Sequence, residues 1–188
     1  MKSLPSSSAY AGWLAVVRIL TGVMWLAHAV PKFTKSDQFM PPNGFIVMYV
    51  STGLAHTTGG YHAFLANIVL PNIALFAELV RLGELLAGIS LLLGVFSRLG
   101  GLVGIVLTLD YISARGTLFS SATLQSIDFC MMVLSATALV LPTGRVFGID
   151  AWLARPKRVA PAVVRAEFVP EPVAPAPPPP TSSTPENP

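Results

Sequence analysis

Four apolar stretches, residues 9–30, 72–96, 99–115 and 122–141, dominate the chain. Each approaches the roughly 20 residues that a helix needs to cross a bilayer, the third being the shortest. Polar positions within them are patterned. On the first, Arg18, Thr21, Gly22, Trp25, His28 and Ala29 follow the i, i+3, i+4, i+7 spacing of one helical face. On the second, Glu78, Arg81 and Glu84 fall within about a third of the helix circumference, at about 100° per residue. An ionised side chain in the bilayer centre costs several kcal/mol, so these stripes must face protein or a polar cavity.

The pattern predicts an all-α integral membrane four-helix bundle over residues 1–155, followed by a disordered Pro-rich C-terminal tail over 156–188. Lys2 before an apolar run resembles the start of a signal peptide. Arg18 interrupts the run, however, and its length is that of a span. Residues 31–71 form a long interfacial outer loop. Its stretches 41–54 and 61–70 read as short helices capping the outer mouth of the bundle, with Phe39, Phe45, Tyr49, Tyr61 and Phe64 suited to the headgroup level. Only Ser97 and Arg98 join the second and third spans, which predicts a tight hairpin. Gly100, Gly101 and Gly104 permit close backbone approach there.

Composition agrees with this picture. Hydrophobic residues make up 53% and charged residues 11% of the 188, against about a quarter charged in soluble domains. Outside the spans, Lys2, Arg98, Arg145, Arg155, Lys157, Arg158 and Arg165 fall on one side, and Lys32, Lys35 and Arg115 on the other. That imbalance places both termini in the cytoplasm and the protein in the cell's inner membrane. Juxtamembrane anchoring to the lipid bilayer accounts for the basic pI, and nothing calls for nucleic acid. Cys130, the single cysteine, excludes an intrachain disulfide or dithiol couple. The tail holds 11 prolines in its 33 residues and reads as polyproline, a docking segment for a cytoplasmic partner.

Counting at about 1.5 Å per residue from the cytoplasmic ends puts Arg18 at roughly 14 Å, Asp110 at roughly 16 Å, Glu84 at roughly 17 Å, and Arg81 and Asp128 at roughly 20 Å. Pairing Arg18 with Glu84 and Arg81 with Glu78 then leaves Asp110 and Asp128, one of which can use Arg115. Two readings stand. The charges either hold the helices in register, or part of the cluster binds a ligand or carries protons. His28 is alone in the membrane, so bis-histidine haem is not expected. His56 and His62, without a carboxylate or cysteine nearby, make a poor metal pair. Trp25, Tyr111 and Met131–Met132 suit either a quinone headgroup or plain packing.

The segments RILTGVMWLAHAVPKF (18–33), VLPNIALFAELVRLGELLAGISLLLGVFSRLGGLVG (69–104) and GRVFGIDAWL (144–153) resemble the DoxX/DoxD family, over residues 10–154. The most telling elements are Arg18 with the following Gly and Lys32, GELLAG around Glu84, and LLLGVFSRLG at the hairpin. This resemblance implies the DoxD subunit of a thiosulfate:quinone oxidoreductase, a respiratory enzyme whose second component, DoxA, has no counterpart here. Partner protein subunits in the membrane would then complete the site. On that reading Arg18, Glu84 and Asp110 are catalytic candidates, and Trp25, His28, Arg81 and Tyr111 candidate quinone contacts. Thiosulfate would approach near Lys32, Lys35 and His62. Quinone is the cofactor expected, with no haem or metal. The alternative is a non-catalytic accessory or assembly subunit of a respiratory membrane complex.

Overall fold

The computed structural model describes residues 7–118, 120–141 and 143–153. The Pro-rich tail, and the disorder and docking role expected for it, lie outside these residues. The described residues are helical, without strands. Helix α1 spans Ser7–Thr34, followed by a single turn, α2, at Ser36–Phe39 and by α3 at Phe45–His56. Helix α4, Gly59–Phe64, leads without interruption into α5, Ile73–Leu93. Then come α6, Ser97–Ala114, a short α7, Ser121–Leu124, α8, Ile127–Val140, and α9, Ile149–Leu153.

Among the described residues, three helical stretches are long and apolar enough to cross a membrane: Tyr10–Thr34, Gly59–Leu93 and Ser97–Ala114. Two limits differ from expectation, and both involve proline. Proline lacks an N–H and crowds the preceding turn, so Pro31 and Pro71 read as helix ends. In the structure α1 continues through Pro31, and the bond from Lys35 N to Pro31 O at 2.9 Å closes its last turn. At Pro71 the helix widens into a π turn over Leu65–Val69 and tightens into a 3₁₀ turn over Leu70–Asn72. These local changes of hydrogen-bond pattern absorb the missing donor. The separate interfacial helix expected at 61–70 is therefore the first part of a 35-residue helix.

The fourth apolar stretch also differs. Helix α8 starts at Ile127 rather than near 122, because Ser126 caps it by accepting from Phe129 N at 3.2 Å. With 14 residues it is shorter than the other three.

Helices α1 and α5, α5 and α6, α6 and α8, and α8 and α1 pack as neighbours and close a ring. Glycines permit the close contacts. A Cβ on Gly22 would lie 2.9 Å from Gly88 O, so α1 and α5 touch backbone to backbone. Gly101 meets the backbone of α8 at Ser135 and Leu139, and Gly104 meets the Ser135 side chain. Trp25, Ala87, Leu91, Leu107, Met131 and Ala138 fill the centre. Large apolar side chains such as Leu20, Leu79, Leu86, Val106 and Val133 stay exposed on the outside, the surface expected of helices that meet lipid.

The α5–α6 hairpin turns at Gly94, whose φ of +66° is the left-handed conformation that ends many helices. This hairpin end of the bundle also holds residues 143–150. At the opposite end α3 lies against α5, α6 and the π turn.

Candidate functional site

Near the α3 end, five helices, α1, α3, α5, α6 and α8, bring polar side chains together. Because α1 passes through Pro31, it carries Lys32 into the bundle, where Nζ stands 2.6 Å from Glu84 Oε1 of α5. Glu84 is only 1% exposed and Lys32 18%. Tyr111 of α6 completes the group: it accepts from Lys32 Nζ at 3.0 Å and donates to Glu84 Oε1 at 2.5 Å. Phe39 and Tyr111 also place their rings about the ammonium, with centroids 5.0 and 5.4 Å from Nζ. Glu84 Oε2 is buried and has no hydrogen-bond partner.

A second ion pair lies beside the first. Arg115, just beyond α6, places Nη1 2.6 Å from Asp128 Oδ2. Tyr49 of α3 lies against Tyr111. Its hydroxyl donates to Tyr111 O at 2.7 Å, and its ring meets the Tyr111 ring edge-on at 5.6 Å.

Two cavities flank the Tyr49–Tyr111 pair. One, of about 230 Å³, has walls that are largely apolar, from Phe39, Phe45, Ile46, Val80 and Ile127, but it also takes in His28, Lys32, Glu84, Arg115 and Asp128 and is the more polar of the two. The other, of about 440 Å³, is almost wholly apolar and lies among α3, α4, α5 and α6. Leu79, Leu102 and Val106 line it and are also exposed on the outer surface, so it borders the lipid-facing side. Its polar groups cluster at Asp110, whose Oδ1 accepts from Tyr61 OH at 2.7 Å.

The predicted site residues are thus divided. Glu84, Tyr111 and His28 border the more polar cavity, and Asp110 and Tyr111 the apolar one. The expected Arg81–Glu78 pair forms on α5, with Arg81 stacked 4.8 Å over the Phe33 ring. Trp25 is buried, donates to Ser135 Oγ at 3.1 Å, and touches His28 edge-on. It sits in the packed core and borders neither cavity.

The expected pairing of Arg18 with Glu84 does not form. Arg18 is 1% exposed at the hairpin end, where it donates to Thr143 O at 2.8 Å, Val146 O at 3.2 Å and Phe147 O at 3.1 Å. Equal depths for these residues require that the spans start level. Instead, Arg18 sits beside Gly94, the last turn of α5. Asp128 is also shallower than expected, since it occupies the first turn of α8.

Close by, Asp150 of α9 accepts from Phe96 N at 2.8 Å, Ser97 N at 3.1 Å and Ser97 Oγ at 2.8 Å. Burial pushes its carboxyl up, but the bonds from Ser97 and Phe96 and the Arg18 charge outweigh this and hold it below the ordinary value. Arg18 and Asp150 therefore fasten residues 143–150 across the start of α6.

From sequence alone Lys32 reads as a loop cation, and Tyr49 and Tyr61 as interfacial aromatics. Lys32 offered one signal: a lone cation within three residues of a span end. Among the described residues no group of three or more His, Cys, Asp or Glu is placed to hold a metal.

The fold and these ion pairs define a helical membrane protein with two cavities beside the Tyr49–Tyr111 pair, one of them lined by charged groups. A sequence model of the family described as TQO small subunit DoxD matches residues 13–164, and the chain belongs to the DoxD family. That match extends ten residues past the end of the resemblance seen in the sequence. Comparisons with curated proteins and with solved structures gave no match.

Proposed function

We propose that this chain is the membrane subunit of a thiosulfate:quinone-type oxidoreductase, and that the apolar cavity receives the quinone. The observation carrying this reading is the cavity itself: about 440 Å³, almost wholly apolar, bordering the lipid side, with the Asp110–Tyr61 pair inside it. Ligand sites of this size are mostly apolar with a few placed polar groups. A quinone reaching it from the bilayer would lay its ring and tail between α5 and α6. Its oxygens would meet Tyr61 and Asp110. Reduction of a quinone takes two electrons and two protons, and Asp110 is the group positioned to pass a proton. Oxidation of two thiosulfates to tetrathionate releases two electrons, and a partner subunit supplies that chemistry, since Cys130 is single and exposed. The three long apolar helices would cross the inner membrane with the shorter α8 as a fourth span, both termini lying in the cytoplasm and the tail meeting a cytoplasmic partner.

The test is quinone binding to the purified protein in nanodiscs, followed by thiosulfate-dependent quinone reduction with co-purified partners. The substitution Gly83→Leu places a side chain in the apolar cavity, where a Cβ would have only ordinary contacts with Leu107 and Val103. It should weaken quinone binding at least tenfold. Absence of quinone binding by the wild type would overturn the reading.

One observation favours the accessory alternative. Lys32–Glu84 links α1 to α5, and Arg115–Asp128 links the end of α6 to α8, which is what charges holding helices in register would do. It predicts that Glu84→Gln impairs assembly and leaves turnover per assembled complex unchanged.

A further inference from the structure

The more polar cavity is a different chemical environment from the apolar one, and the reading above does not use it. At about 230 Å³ it is too small for a molecule with a long apolar tail and large enough for a small solute. Its walls hold donors with spare capacity. Lys32 has three N–H groups, of which the structure engages two, on Glu84 and Tyr111. Arg115 has five, with one nitrogen facing Asp128, and its side chain is 45% exposed. Glu84, one of the lining residues, also holds an acceptor with nothing to accept from, Oε2, on a residue 1% exposed. Buried polar atoms are almost always hydrogen-bonded, so an orphan acceptor at a cavity calls for a donor from outside the chain.

We infer that this cavity binds a small oxyanion that still carries a hydroxyl proton. The hydroxyl donates to Glu84 Oε2 while the charged oxygens accept from Lys32 and Arg115. Protons and charge need no redistribution in this step, because it is binding alone.

The carboxylates decide between oxyanions. Glu84 from α5 and Asp128 from α8 both face the cavity, against Lys32 from α1 and Arg115 beyond α6, and the four formal charges cancel. His28 from α1, Tyr49 from α3 and Tyr111 from α6 are the other titratable groups there. A hydroxyl-free anion would meet the bare Oε2 lone pairs and be repelled. An anion with a hydroxyl turns the same contact into a charge-assisted hydrogen bond, and these are the stronger kind.

The experiment titrates full-length protein in nanodiscs by calorimetry at pH 6, with dihydrogen phosphate as the hydroxyl-bearing probe and nitrate and thiosulfate as hydroxyl-free probes. The wild type should bind dihydrogen phosphate about tenfold or more tightly than either, the factor expected for one charge-assisted bond. Glu84→Gln should remove that preference and strengthen nitrate binding, because Lys32 loses its carboxylate partner. Arg115→Gln, which removes the half-exposed cation paired with Asp128, should weaken all three probes in protein that still elutes as a folded species. Gly83→Leu, in the other cavity, should change none of them. Equal affinity for nitrate and dihydrogen phosphate in the wild type would overturn the inference. So would the absence of phosphate binding by wild-type protein that elutes as a folded species. Tight thiosulfate binding that survives Glu84→Gln would overturn it too. None of these outcomes depends on quinone binding, so failure here is distinguishable from failure of the oxidoreductase reading.

Discussion

Lys32 and Glu84, on different helices, meet at 2.6 Å in a largely buried pair that Tyr111 ties together from a third. Taking one charge out of a buried pair leaves the other uncompensated, at about 3–5 kcal/mol. Lys32→Met should therefore lower thermal stability in detergent sharply. The double variant Lys32→Met/Glu84→Gln should recover much of the loss, because no lone charge remains. Equal melting temperatures for the single and double variants would show that the two residues are not coupled.

The contact between α1 and α5 leads to a second prediction. A Cβ on Gly22 would press on Gly88 O and Leu92 backbone atoms, which do not yield as a flexible side chain does. Gly22→Ala should cost about 1–3 kcal/mol through overpacking. Gly12 on the same helix has nothing within 4 Å of an added Cβ. Gly12→Ala should be neutral or slightly stabilising by helix propensity. Comparing their unfolding in one detergent tests both expectations.

Asp150 offers a pH-dependent readout. Its pKa is held below the ordinary value in the fold, despite the burial that acts to raise it, by bonds from Ser97 and Phe96 and by Arg18. A depressed carboxylate contributes stability that is present above its unfolded pKa, roughly 4. That contribution is lost as pH falls through the lower folded pKa. Asp150→Ala should cost about 1 kcal/mol at neutral pH, as for loss of a helix N-terminal cap. Its difference from the wild type should shrink below about pH 4, measured by denaturant melts across pH. A difference independent of pH down to the lowest accessible value would show that the Asp150 charge contributes nothing.

Tyr61 is the hydroxyl donor on Asp110. Tyr61→Phe keeps the ring and removes the bond, which for a partly buried carboxyl costs about 1–3 kcal/mol. If Asp110 passes protons to a quinone, the variant should also shift the pH profile of quinone reduction and leave quinone affinity within a few-fold. A changed melting temperature with an unchanged pH profile would confine this pair to a structural role.

Much of this architecture was legible in the chain. Hydrophobic runs and inward stripes located the helices, the hairpin at Ser97–Arg98 and the buried positions of Arg18, Trp25 and Glu84. The Arg81–Glu78 pair was legible because both residues lie on one helix, where spacing alone sets the contact. The helix limits at Pro31 and Pro71 were not. Proline is a reliable helix breaker in water, but packed apolar helices accommodate it through π and 3₁₀ turns. That one difference moved Lys32 from a loop into the site.

What the sequence by itself determined is the membrane class, the helices, and which faces turn inward, because lipid rejects charge wherever the helices stand. It also marked the family, through residues spread over the first, second and third apolar stretches. The partners of those inward charges were decided by tertiary structure alone. Partner choice depends on the axial offset between helices. That offset is set by backbone contacts such as Gly22 on Gly88, not by where each apolar run begins. The contact places Arg18 beside Gly94 and brings Lys32 to Glu84. The two cavities arise likewise from how α3 and Tyr49 lie against Tyr111, a relationship between elements far apart in the chain.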